Sequence, residues 1–258
     1  MLNYLKSEFY RILHGREIYS ATAALAGLTV LMNLVLFAFD RLTPDFPYAT
    51  VTFSLNMMTG SMPMLLMAGL IIVLFLFSDE YKNGTLKNAI SYGISRNAFF
   101  TGKCIACAAA AFLSMLVVLA VYIGSAYLLL NTEGSMPVRQ LLTGTAVNLP
   151  AAFASVILAS ALCCCFKKET AVVLWWLGIM WWLPVVCFFL GLKIESIERI
   201  SEWMPWNYLK YEVSVNMSGY RCLWDTPEGA AKCLIAGAIG ILVFYAAGIL
   251  AFRKREIS

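Results

Sequence analysis

Residues Cys104–Leu130 read CIACAAAAFLSMLVVLAVYIGSAYLLL, twenty-seven residues without one Asp, Glu, Lys or Arg. A hydrocarbon core of roughly 30 Å is crossed by about 20 helical residues rising 1.5 Å each. This stretch therefore predicts a membrane-spanning helix. Working outward, five more blocks meet the same length: Ile18–Phe39, Leu55–Ser78, Leu141–Phe166, Thr170–Leu192 and Ala230–Phe252. They are continuously apolar, whereas barrel strands alternate over about ten residues. The chain is 61% hydrophobic and 13% charged, against about 45–50% and about 25% in soluble domains. The fold class expected is all-α integral membrane, with six transmembrane helices in a single domain over residues 1–258. The first block follows a polar lead and has no small-residue cleavage site, so it is expected to persist as a span rather than be removed as a signal peptide.

Orientation follows from the connections. Met1–Glu17, Asp79–Lys103, Lys167–Glu169 and Arg253–Ser258 hold 12 of the 19 Lys and Arg residues; Asp40–Ser54, Asn131–Gln140 and Lys193–Lys232 hold 7, with nine acidic residues. The basic side is expected in the cytoplasm, with both termini there and 193–229 as an extracellular segment. A net charge of +4 is no nucleic-acid footprint. Residues 2–16, LNYLKSEFYRILHGR, place Leu2, Leu5, Phe9, Ile12 and Leu13 at helical spacing. They read as an amphipathic helix in the cytoplasmic interface, with an ordinary polar lead-in as the alternative. In the outer segment, Ile194, Ile197, Ile200 and Met204 recur at helical spacing, and Trp203, Trp206, Tyr208 and Tyr211 cluster. One or two short helices at the outer interface are expected there; a plain folded loop is the alternative.

No span carries a mid-membrane charge, which argues against an ion-coupled carrier or a charge-ringed channel. Asn33, Asn56 and Asn148 read as interhelical hydrogen-bonders. Pro63, Pro150 and Pro184 are candidate bends, or ordinary prolines of membrane helices. The eight cysteines include Cys104-x-x-Cys107 on a predicted span and the run Cys163–Cys165. Neither is placed like a redox or zinc loop, and small buried hydrophobes account for them. A Cys222–Cys233 disulfide is left open. His14 has no companion ligands, and no metal site is expected. There is no phosphate-binding loop: Gly102-Lys103 lacks a glycine at Asn97 and a hydroxyl at Cys104. Serine-hydrolase and zinc-protease motifs are absent too. No catalytic residue is expected, so any chemistry must come from a partner chain.

The loop Asp79–Lys103, DEYKNGTLKNAISYGISRNAFFTGK, leaves the second block on the basic side. Asn83-Gly84 signals a turn. Thr85 can cap a short helix to Ser91 with Leu86, Ala89 and Ile90 as an apolar patch, and Ser95 can cap the next helix, running through Phe99 and Phe100 into Cys104–Leu130. A short helix of this kind suits docking into a groove of another protein. The pattern Glu80-x-x-x-Gly84-Thr85-Leu86-Lys87, just after the second of six spans, resembles the permease subunits of ATP-binding-cassette exporters of the second type. The most specific part of the likeness covers about twenty residues, while the topology resembles the family over the whole chain.

That resemblance implies a coupling helix docking on a separate ATPase subunit. Glu80, Gly84, Thr85 and Lys87 would be its motif positions, and Leu86, Asn88, Ala89 and Ile90 would line the docking face. It further implies a bacterial cytoplasmic-membrane location, pairing as a homodimer or with a sister permease, and ATP bound by the partner, with no cofactor in this chain. The size and the loop wording resemble the branch that exports lantibiotics or confers immunity to bacitracin-like antimicrobial peptides, which implies an amphipathic peptide substrate. A membrane anchor or sensor partner of an ATPase, transporting nothing, is the alternative from another class.

Overall fold

The computed structural model describes residues 2–83, 94–132, 138–166, 168–215 and 220–254. Its helices are α1 (Leu2–His14), α2 (Glu17–Leu42), α3 (Val51–Gly60), α4 (Pro63–Asn83), α5 (Arg96–Leu129), α6 (Val138–Cys165), α7 (Glu169–Leu177), α8 (Leu183–Gly191), α9 (Glu195–Ser201), α10 (Pro205–Tyr211) and α11 (Pro227–Lys254). A π turn, Gly178–Trp182, joins α7 to α8, and a 3-10 turn, Leu223–Asp225, precedes α11. Among the described residues the fold is helical but for an isolated Thr50–Asn131 bridge and one minimal antiparallel ladder, β1 (Ser214–Val215) with β2 (Tyr220–Arg221). Local chemistry sets several boundaries. Glu17 lies in the first turn of α2, where a carboxylate suits the helix dipole. That helix stops at Leu42, two residues before Pro44, since the residue preceding a proline is pushed out of helical geometry. The Ser95 hydroxyl accepts from the Ala98 N–H at 3.3 Å and opens α5.

Five helical units are long and apolar enough to cross a membrane, and a bent pair brings the number to six when it is taken as one span. That pair corrects the sequence reading. The block Leu55–Ser78, expected as one span, is broken into α3 and α4, bent by 72°. Pro63 has no N–H to continue the ladder and instead opens a new helix, as proline does at a first helical position. The other two span prolines do not break their helices. α6 runs through Pro150. Pro184 cannot donate to the preceding turn, and the wider π turn just before it keeps α7 and α8 in line.

α6 is the most buried of the spans. Its small residues Ala151, Ala154, Ser155, Ala159 and Ser160 are buried, and α11 packs along it in the most extensive helix pair of the fold. A Cβ on Gly237 of α11 would lie 2.5 Å from the Ala151 nitrogen, and one on Gly240 would lie 3.0 Å from Ala154 Cβ. This is the small-residue seam that lets membrane helices approach backbone to backbone. α2 lies at the periphery, with few of its residues fully buried and Leu28, Leu31 and Phe39 outward. Leu242 and Val243 of α11 and Trp175 and Phe189 of the fifth span are exposed as well. An apolar surface this continuous needs a bilayer to cover it.

A buried polar layer ties α2, α3 and α5 together. Asn33 Nδ2 donates to the Tyr122 carbonyl (3.1 Å) and to Ser125 Oγ (2.8 Å), while its Oδ1 accepts from Ser54 Oγ at 2.6 Å. The Tyr122 hydroxyl donates to the Ser54 carbonyl at 2.6 Å. Interhelical hydrogen bonds in membranes contribute about 0.6 kcal/mol each on average. Asn33→Ala removes three, so a loss of about 1–2 kcal/mol is expected, measurable by titrating the purified protein with a denaturing detergent.

Between the fifth span and α11, α9 and α10 pack on α8, and the ladder packs on α3. The aromatic cluster expected at an interface is split. Trp203 and Tyr211 are exposed, but Trp206 and Tyr208 are buried within the protein. Asn207 fixes this arrangement: its Nδ2 donates to the Pro184 carbonyl (2.9 Å) and to the carbonyl (3.1 Å) and hydroxyl (2.9 Å) of Ser201. Cys222 and Cys233 are both buried and free, so no disulfide joins them.

Candidate functional site

The coupling segment expected at Gly84, Thr85, Leu86, Lys87, Asn88, Ala89 and Ile90 lies outside the described residues. Glu80 falls within α4, and nothing is described of its side chain. What the structure places are the two roots of that segment, the end of α4 and the start of α5, and a third element that holds both.

That element is α1. Sequence spacing put Leu2, Leu5, Phe9, Ile12 and Leu13 on its inner face. The structure rotates the face: Glu8 and Ile12 are buried, Tyr4 and Leu5 are half-buried, and Leu13 is exposed. Glu8, in the middle of the buried face, accepts from Lys103 Nζ at 2.7 Å and from Arg11 at 3.1 Å. Arg11 also reaches across to the Leu76 carbonyl of α4 at 3.4 Å. So α1 touches the α4 root through Arg11 and the α5 root through Glu8.

Lys103 is the second correction. The sequence reading counts it among the loop charges, but α5 begins at Arg96, and Lys103 lies about two turns into that helix, 1% exposed. Its ammonium lies 5.3 Å from the Phe77 ring centroid and 5.7 Å from that of Phe99, cation–π distances. The signal was present in the sequence. With Ser95 as cap, helical spacing puts Lys103 on the face of Phe99 and Phe100 (i+4, i+3), which a solvated lysine would not share. Burial pushes the Glu8 carboxyl up, but the charges of Lys103 and Arg11 outweigh it and hold Glu8 below its ordinary value. Gly102 completes the seat, since a Cβ there would meet the Tyr4 ring at 2.7 Å.

The α5 root is also pinned to the end of α11. Arg96 donates to the Arg253 carbonyl at 2.8 Å, where a cation complements the carbonyl end of a helix. Arg253 Nε donates back to Asn97 Oδ1 at 2.9 Å. Phe99 stacks on Phe252 with centroids 5.9 Å apart, and the Thr101 and Tyr245 hydroxyls are 2.7 Å apart. The start of α5 is thereby tied to α1 and to the end of α11, and α1 is tied in turn to α4.

Residues 4–175, from α1 into the fifth span and about two thirds of the chain, match the family model described as ABC-2 family transporter protein. The chain belongs to the ABC-2 transporter family. The permease is thus a multi-pass transmembrane subunit, and its family implies an ATP-binding-cassette ATPase as partner. No curated protein matches it. The match includes α1 and both loop roots, and it stops before α8–α10 and α11. Sequence reasoning found the Ser95 cap that opens α5. It did not find Glu8, Arg11 and Lys103, because the partners are up to 95 residues apart.

Proposed function

We propose that the permease exports an amphipathic substrate, an antimicrobial peptide of the lantibiotic kind, across a bacterial cytoplasmic membrane, and that it works as a dimer. ATP is bound and hydrolysed by the separate ATPase subunit, which docks on residues 84–90. Closure of two ATPase subunits pushes these segments and switches the pathway. The observation that carries this reading is the double tie of α1: Glu8 to Lys103 on α5, and Arg11 to the Leu76 carbonyl on α4. A push on one root is shared by the other, which is what a mechanical handle requires. The bound nucleotide must favour one state through differential contacts for any switching to occur.

The test is co-purification with the ATPase and peptide efflux from vesicles. Gly84→Pro and Leu86→Asp are expected to abolish both. Retention of both overturns the docking assignment. Peptide-stimulated ATP hydrolysis without efflux from the wild type would replace the exporter with a sensor. A cysteine introduced at Asn88 is expected to resist membrane-impermeant labelling from outside the cell; labelling there would put the handle on the wrong side.

A further inference from the structure

The helix that ties the loop roots together has a second side. Inward, α1 is taken up by the bundle through Tyr4, Leu5, Glu8 and Ile12. Outward, Lys6, Tyr10, Leu13 and His14 follow at i, i+4, i+7 and i+8, and all are exposed, Tyr10 by 66%. The His14 ring stacks on Tyr10 with centroids 3.9 Å apart. This side runs on into α2. The Tyr19 hydroxyl donates to the Leu13 carbonyl at 2.8 Å, which joins the first turn of α2 to the last turn of α1. Tyr19 is itself 59% exposed, and Ala23, Gly27 and Leu34 continue its side of α2 into the span, exposed as well. Arg16 stands at the corner between the two helices and is also exposed. Neither Lys6 nor Arg16 has a carboxylate partner among the described residues. The Glu17 carboxylate lies over Gly15, which leaves this side with cations in excess.

The exposed apolar side of α2 lies in hydrocarbon, so a surface that joins it at its first turn lies at headgroup depth. Tyrosine rings collect at that depth, and lysine and arginine there meet lipid phosphates. Tyr10 and Tyr19 supply the rings, and Lys6 and Arg16 supply cations with nothing opposite them. A second copy docked face to face would set these like charges against one another, whereas an anionic bilayer surface complements them. We infer that the outward side of α1, with Arg16 and Tyr19, binds the headgroups of anionic phospholipids in the leaflet that meets α1. The lipid then holds from outside the helix that Glu8 and Arg11 hold from inside. Residues 84–90 take no part, so this assignment stands or falls separately from the docking reading.

The test is equilibrium binding of two lipids to the purified full chain in nonionic detergent. The probes are a fluorescent phosphatidylglycerol and a phosphatidylcholine carrying the same fluorophore, whose phosphate is balanced by choline. Tighter binding of phosphatidylglycerol is expected, with the preference shrinking as salt is raised. Lys6→Gln/Arg16→Gln is expected to lose about tenfold in phosphatidylglycerol affinity. Its thermal midpoint without lipid is expected to stay at the parent's, because both side chains are exposed. Lys6→Arg/Arg16→Lys keeps both charges and is expected to keep the preference. Lys193→Gln removes an exposed cation just past the end of α8 and is expected to bind like the parent. Equal affinity for the two lipids, or a charge-removed variant that keeps the preference, overturns the assignment. A charge-removed variant that binds both lipids like the parent but no longer co-purifies with the ATPase gives this surface to that protein instead.

Discussion

Glu8→Leu is expected to destabilise the permease by about 3–5 kcal/mol, because it removes the carboxylate that faces the buried Lys103 ammonium at 2.7 Å and Arg11 at 3.1 Å. The two partners are not equivalent. In Lys103→Met, Glu8 keeps Arg11, whose side chain is 38% exposed and can carry the pair toward solvent, so a smaller loss is expected. The double variant Glu8→Leu/Lys103→Met is expected to recover most of the stability, since apolar residues of similar volume replace a buried ion pair at little net cost. Thermal unfolding of the three purified variants checks the order. The pH dependence has a definite sign. The folded Glu8 carboxyl is held below its ordinary value. Its contribution is therefore complete above the ordinary carboxylate range and is lost as pH falls through the lowered folded value. An acid limb present in the parent and missing in Glu8→Leu is the expected signature. An equal decline in both would remove Glu8 from the account.

The second large effect is expected at the α6–α11 seam. A Cβ on Gly237 would stand 2.5 Å from the Ala151 nitrogen and 2.6 Å from Pro150 Cβ. Backbone and a proline ring cannot rotate away, so the helices must part. Gly237→Ala is expected to cost about 1–3 kcal/mol, and Gly237→Leu more than that range. The contrast is Gly124→Ala on α5, where nothing lies within 4 Å of the new methyl. There the better helix propensity of alanine is expected to give a neutral change or a gain of up to about 1 kcal/mol. Detergent-denaturation midpoints of the three variants decide it. A tolerated Gly237→Leu would mean that the α6–α11 spacing is not fixed by this residue.

The legible part of this protein was what short-range chemistry writes into the chain. Cys104–Leu130 is apolar for longer than a bilayer is thick, and all of it but the capping Leu130 lies within one helix. Ser95 is a cap in the sequence and a cap in the structure. Pro63 was a candidate bend, yet spacing did not say that it would divide the second span at 72° while Pro150 and Pro184 divided nothing. Whether a proline breaks a helix depends on which neighbours take up the freed carbonyl, and those come from elsewhere in the chain.

The end of the bundle that holds α1 shows the same division. The loop and its resemblance to exporter permeases lie within about twenty consecutive residues and could be read in order. Glu8, Arg11 and Lys103 could not, because a charge in a sequence looks solvated until a distant partner is placed beside it. Trp206 and Tyr208 read as interfacial aromatics for the same reason, and packing turned them inward. The sequence by itself determined that this chain must live in a bilayer, since continuous apolar length has no other stable solvent. Only the tertiary structure decided which polar groups share the interior, because burying a charge or an amide is tolerable only where the fold brings its partner within hydrogen-bonding distance.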